Sequence, residues 1–243
     1  MRRWLLPTAL AVSFALLLLS TAFAHNVERF GWEVDFTQWT QNFSLGKLRF
    51  VRGWLFWMGG VGVAGVVLVL AAGVLWYRRF PIEAAFVVLT AIPNTANYAF
   101  REIIARPRPG ADLVEIIGGP QGFSFPSGHA LHVLFFYGFL LYLAAILLSN
   151  RRLFRILAAV AVIYIPLSGL WLVYDGRHWF SDVIGGYVYG TFYLLVWILA
   201  YGWTKVQMEE RERFGLLYRF LLIPWRLLSR LHRGVRKAEG ESV

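Results

Sequence analysis

No cysteine occurs anywhere in the chain, which excludes a disulfide framework and thiolate ligands for a metal. Charge is also scarce. Asp, Glu, Lys and Arg make up 16% of the 243 residues, against about 25% in an ordinary soluble domain. The hydrophobic share is 58%, above the roughly 45–50% of such a domain. A soluble globular domain is thereby excluded, and the chain reads as an integral membrane protein. Acidic residues are the rarer sign, 14 against 24 Lys and Arg, for a formal net charge of +10. That excess does not argue for a nucleic-acid partner, because much of it lies in loops and in the tail, where anionic lipid headgroups account for it.

What is present is a series of charge-free apolar runs at 4–24, 54–77, 84–100, 130–150, 156–174 and 183–204. Most reach the ~20 residues that a bilayer-spanning helix needs. They predict an all-α fold, a six-helix transmembrane bundle over 1–203 followed by a basic cytoplasmic tail over 204–243. The third run is the shortest and contains Pro93, Asn94 and Asn97, so a bent helix is expected there, with its polar groups facing protein. Basic residues at Arg2 and Arg3, Arg78 and Arg79, Arg151, Arg152 and Arg155, and in the tail all fall on one side of this layout. Cytoplasmic loops collect such residues. Both termini are therefore expected in the cytoplasm, with the protein multi-pass in the inner (plasma) membrane. Arg29, Lys47, Arg49 and Arg52 on the other side weaken this asymmetry without reversing it.

The first run has a basic start and ends in Ala22-Phe23-Ala24, as a cleavable signal peptide does, but its apolar length favours a retained helix. Residues 25–52 interleave aromatics with polar residues and read as an interfacial segment, an anchor in preference to a lid over a site. Glycines at 59, 60, 62 and 65, and again at 185, 186 and 190, predict close helix packing in the second and sixth runs. The tail alternates apolar and basic residues around Pro224, as a helix lying on the inner membrane surface would.

Three polar segments stand at ends of these runs and emerge on the same, outer face: REIIARPRP (101–109), FPSGH (125–129) and GRHWFSD (176–182). Ionisable groups at a membrane edge are expensive and rarely incidental. Phosphoryl transfer needs cations for the equatorial oxygens, an in-line nucleophile and a proton donor for the leaving oxygen. Arg101, Arg106 and Arg108 are suited to the first task, since guanidinium forks bind phosphate oxygens in pairs. Ser127 and Gly128 stand at a helix start, where a hydroxyl and free N–H groups can hold an anion. His129 would sit beside that anion as acid or base. His178 and Asp182 are four residues apart, on one face of a helix that begins there. The carboxylate would fix the tautomer and leave the other ring nitrogen free to attack. His132, one turn deeper, reads as a structural histidine.

With these segments the chain resembles the type-2 phosphatidic-acid phosphatase superfamily of membrane lipid phosphatases. The family's Lys, six residues and Arg-Pro correspond to Arg101 and Arg108-Pro109. Its Pro-Ser-Gly-His is present unaltered at 126–129, and its His, three residues and Asp match His178 and Asp182. The resemblance implies a metal-independent, cofactor-free hydrolase of phosphorylated lipids. In it His178, oriented by Asp182, forms a phosphohistidine, His129 protonates the leaving oxygen, and Arg101, Arg108, Ser127 and Gly128 hold the phosphoryl group. One departure is sharp. Where the family has Ser-Arg ahead of the histidine, this chain has Trp171-Leu172, and Arg106 and Arg177 are the candidates to serve for the missing arginine. Two other readings stay open, a phospholipid-binding protein without turnover and a phosphotransferase to a lipid acceptor. A phosphorylated lipid and the surrounding membrane lipids are the expected partners.

Overall fold

The computed structural model describes residues 5–43 and 60–210; the tail helix expected beyond 210, and the parts of the aromatic connection and second run within 44–59, lie outside them. Among the described residues all regular structure is helical: α1 (Leu5–Asn26), α2 (Gly31–Gln41), α3 (Val61–Tyr77), α4 (Pro81–Leu89), α5 (Ala91–Ile104), α6 (Gly128–Leu147), α7 (Arg151–Tyr174) and α8 (Phe180–Glu210). By length and composition α1, α6, α7 and α8 can cross a bilayer, and α3 is a shorter apolar helix. Large apolar side chains on α3 and α7, among them Val69, Leu70, Val162 and Ile163, are more than 60% exposed. An apolar surface of that kind suits contact with lipid tails.

The third run differs from a single bent span. It divides at Thr90 into α4 and α5, where the Thr90 hydroxyl donates to Val87 O (2.6 Å) and closes the first helix. Pro93, the expected bend, instead lies in the first turn of α5. An N–H there has no intrahelical acceptor, so its absence costs no bond. Asn97 is buried against protein, as expected.

α8 is the element on which the others assemble. A Cβ on Gly186 would lie 2.6 Å from Ser127 O, and one on Gly190 would lie 2.9 Å from Leu131 O. The start of α6 therefore packs backbone to backbone on α8. α1 packs beside the same helix: Thr21 and Tyr189 share a hydroxyl hydrogen bond of 2.6 Å, and Ala24 joins Phe125, Leu131 and Tyr189 in one apolar cluster. The signal-like first run is thus part of the bundle. At the opposite end, Glu83 accepts from Tyr201 Oη (2.8 Å) and Lys205 Nζ (3.1 Å), which ties α8 to α4 on both sides of Trp203.

The glycines of the second run do not follow the packing expectation. Gly62, Gly65 and Gly73 of α3 have open space where a Cβ would stand. The contrast gives a direct test. Gly186→Ala should lower the thermal midpoint of the detergent-purified protein by the equivalent of about 1–3 kcal/mol, because the Ser127 carbonyl is backbone and cannot yield. Gly62→Ala should leave the midpoint unchanged or raise it, since alanine is the better helix former by up to about 1 kcal/mol.

Candidate active site

Helix α5 stops at Ala105, which takes the left-handed conformation (φ 54°) and turns the chain into the loop carrying Arg106 and Arg108. Arg101, in the last turn of α5, donates from Nε to Pro126 O (3.0 Å). Arg108 donates from Nε to Gly122 O (3.0 Å) and from Nη1 to Arg177 O. Backbone carbonyls thus fix both guanidinium groups from behind. They open onto a cavity of about 720 Å³, shared with Gly128, His129, Arg177 and His178. The same cavity extends between Ala64, Gly65 and Leu68 of α3 and Thr90, Ala91 and Thr95 at the α4–α5 break. The open glycine face of α3 is one wall of it. His132 also borders the cavity, with its ring stacked 5.1 Å from that of Phe136.

His178 precedes α8, which begins at Phe180, so the histidine and aspartate do not share a helical face in the way their spacing suggested. They meet because Asp182 turns back. As the third residue of the helix it accepts the Trp179 N–H at Oδ2 (2.8 Å), the carboxylate half of a capping box. Ser124 Oγ donates to the same oxygen, and His178 Nδ1 lies 3.7 Å from it. On the far side of the ring, His178 Nε2 is 3.2 Å from Arg108 Nη1. A guanidinium can only donate, so Nε2 accepts and the ring proton sits on Nδ1, toward Asp182 and Ser124. Burial holds the His178 pKa down to about 4, with Arg108 pushing the same way and Asp182 opposing. Burial and the neighbouring Arg101 lower Arg108 to about 10. At neutral pH an uncharged imidazole lone pair therefore faces a charged guanidinium inside the cavity.

Two residues proposed from the sequence stand behind the cavity wall. Ser127 is fully buried as the N-cap of α6, and its own N–H donates to Asp182 O (3.1 Å). Asp182 is likewise fully buried. Arg106, grouped with the phosphate-binding arginines by its sequence position, faces away from the cavity: Nη1 donates to Asp182 Oδ1 (2.5 Å) and Nη2 to Glu33 Oε2 (3.3 Å). It cannot serve for the missing arginine. Arg177 can, because it borders the cavity. Leu172 packs with Ala130, Val173 and Val183 and forms apolar wall at the position of the family's arginine. Ser124, Ser181 and Glu33 were missed in the sequence, where nothing in their neighbourhood distinguishes them from ordinary loop and helix polar residues.

Residues 82–206, just over half of the chain, match the family model described as the PAP2 superfamily. The chain belongs to the PAP2 superfamily. Among curated relatives it is 27% identical over 152 residues to phosphatidylglycerophosphatase B of Bacillus subtilis (strain 168), a match covering 61% of this chain and 70% of that protein. The fold is similar to the crystal structure of a transmembrane PAP2-type phosphatidylglycerolphosphate phosphatase from Bacillus subtilis. That similarity has a TM-score of 0.69 at 21% identity and covers 84% of this chain and 98% of that one. This PAP2 chain is thus a multi-pass membrane protein of a phosphatase family, helical throughout its described regular structure.

The buried, uncharged His178 makes stability depend on pH with a definite sign. In the unfolded chain a histidine takes up its proton near pH ~6.5, whereas the folded protein resists until about pH 4. Stability should be full above pH ~6.5 and fall by up to about 3 kcal/mol as pH drops through that window. Thermal midpoints of the purified protein across this range, compared with His178→Gln, check it: the variant should show the shallower acid-side decline.

Proposed function

We propose that this chain is a membrane lipid phosphatase that hydrolyses a phosphomonoester or diphosphate of a lipid through a phosphohistidine on His178, without a metal. The observation that carries the reading is the 3.2 Å approach of Arg108 Nη1 to His178 Nε2 within one cavity. A phosphoryl group seated against Arg108 brings its phosphorus within reach of the nitrogen lone pair. Nε2 attacks the terminal phosphorus, its bond to the leaving oxygen breaks, and His129 supplies the proton to that oxygen, giving the lipid alcohol from a monoester or the lipid monophosphate from a diphosphate. Water, losing a proton to His129, then cleaves the P–N bond and inorganic phosphate leaves. Arg101, Arg108 and the Gly128 amide hold the transferring group, and Ser127 fixes the helix start that presents this amide. Guanidinium groups supply the positive charge. Among the described residues no three His, Cys, Asp or Glu side chains gather as ligands for a metal ion.

A lipid substrate fits the apolar arm of the cavity beside α3. The curated relative's name makes phosphatidylglycerol phosphate the first compound to try, followed by phosphatidic acid, isoprenoid diphosphates and phosphorylated glycolipids. The reading includes six crossings, with α3 as the second and the α4–α5 pair as the third. The site faces the outer side, both termini are cytoplasmic, and 1–203 acts as the catalytic domain ahead of a lipid-binding tail over 204–243. Leu172 favours a second reading, a phospholipid-binding protein without turnover.

Phosphate release from these lipids by purified protein in chelator separates the two. Release by the wild type, reduced to background in His178→Ala, is the expected result. No release from any of them, or equal release by the variant, would favour the binding protein. Arg177→Met should lower kcat/KM about 10- to 100-fold, the worth of one charge-assisted hydrogen bond of about 1.5–3 kcal/mol. Leu172→Arg should bring no gain, because Arg177 already lends its charge to the cavity.

A further inference from the structure

We infer that Glu33 of α2 is a positioning residue for this site: through Arg106 it keeps one oxygen of Asp182 turned toward His178. The inference rests on the phosphatase reading. Glu33, Arg106 and Asp182 form a continuous ionic chain with side chains at most 1% exposed. Each member is held by more than its charge. Glu33 Oε1 accepts from Ser181 N (2.8 Å) and Ser181 Oγ (2.7 Å). Its Oε2 accepts from Phe30 N (2.8 Å) and Arg106 Nη2 (3.3 Å). Arg106 donates from Nε to Val27 O (3.1 Å) and Glu28 O (3.0 Å), and from Nη1 to Ser181 Oγ (2.7 Å) as well as to Asp182 Oδ1 (2.5 Å). Acceptors therefore surround the guanidinium.

The division of labour on Asp182 follows. A lone arginine facing a lone buried carboxylate takes both oxygens in a fork. Here Glu33 occupies the second arm of the fork, so Arg106 meets only Oδ1, and Oδ2 is left for Ser124, Trp179 N–H and the His178 side. Phosphorylation at Nε2 leaves the ring positively charged with a proton on Nδ1, and it is Oδ2 that steadies this charge. The two carboxylates are alike in placement. Each is the third residue of its helix and caps it by accepting the N–H three residues back.

Further contacts make α2 a fixed strap. Gln41 Nε2 donates to Glu115 O (2.7 Å) and Tyr174 O (2.9 Å), and Gln38 Nε2 donates to Leu113 O (2.8 Å). The helix is thus fastened to the loop after Arg108 and to the end of α7. Trp39 of this helix, and Phe43 just beyond it, are each more than half exposed.

The test is a double-variant cycle on the detergent-solubilised full chain, reading kcat and KM for whichever lipid phosphate the wild type hydrolyses. Glu33→Gln should lower kcat about tenfold or more with KM held within about twofold, since an interaction felt only in the transition state is lost. Arg106→Gln should cost at least as much, and the double variant no more than about twofold beyond it, because the first residue acts through the second. If Glu33→Gln does not purify folded, Glu33→Asp keeps the charge at shorter reach and should lower kcat about threefold by the same criterion. A wild-type kcat in the Glu33 variant, a rise in KM alone, or costs that multiply in the double variant would overturn the positioning role while leaving the phosphatase reading intact. No phosphate release by the wild type would remove both.

Discussion

A carboxylate sealed from water must find a donor for each of its oxygens, because an uncompensated buried charge costs several kcal/mol. Asp182 is in that position, with no exposed surface. Its donors come from distant stretches of the chain: Arg106 from the loop after α5, Ser124 from the approach to α6, and the Trp179 amide from its own helix start. Its backbone carbonyl takes the Ser127 N–H besides. Satisfying this one residue therefore draws together the three polar segments that carry every candidate site group. The first consequence is structural, and the chemistry follows from it, since the same convergence sets His178 against Arg108.

Helix packing makes that convergence possible. Ser127 can donate to Asp182 only if α6 and α8 run nearly backbone to backbone at their site ends, and Gly185, Gly186 and Gly190 leave the room. On the other side of the site the requirement is opposite. α3 stands off with its glycine face open, and the resulting space joins the cationic pocket to an apolar arm. A headgroup bound by arginines and a tail bound by aliphatic wall is the arrangement a phosphorylated amphiphile calls for.

Much of this was legible in the amino-acid order, and the reasons it was legible are physical. Charge-free runs must be helical in a bilayer, so the all-α class followed from composition alone. Pro126-Ser127-Gly128-His129 carries its own helix start, so local order sufficed to pick it out. The spacing of His178 and Asp182 drew attention to the pair, but the shared helical face it suggested is absent, and Asp182 instead caps α8 through the Trp179 N–H. What failed depended on partners far away in sequence. Nothing near Arg106 tells it from Arg108, because what separates them is whether Asp182 and Glu33 or the cavity lies opposite. Glu33 looked like one acid among interfacial aromatics. Glycine clusters in the second and sixth runs gave an open wall in one case and a tight contact in the other. The break at Thr90 was hidden by Pro93, the stronger-looking signal, which sits where a proline does no harm.

The central claim is that the Nε2 lone pair of His178 takes the phosphoryl group covalently. Rapid quenching of the purified protein with a lipid carrying radiolabelled phosphate, under alkaline conditions that preserve phosphohistidine, followed by peptide mapping, tests it most directly. The account predicts label on the peptide containing His178, formed before free phosphate appears and absent from the His178→Ala protein. Turnover without any labelled protein, or label carried by another residue, would contradict it.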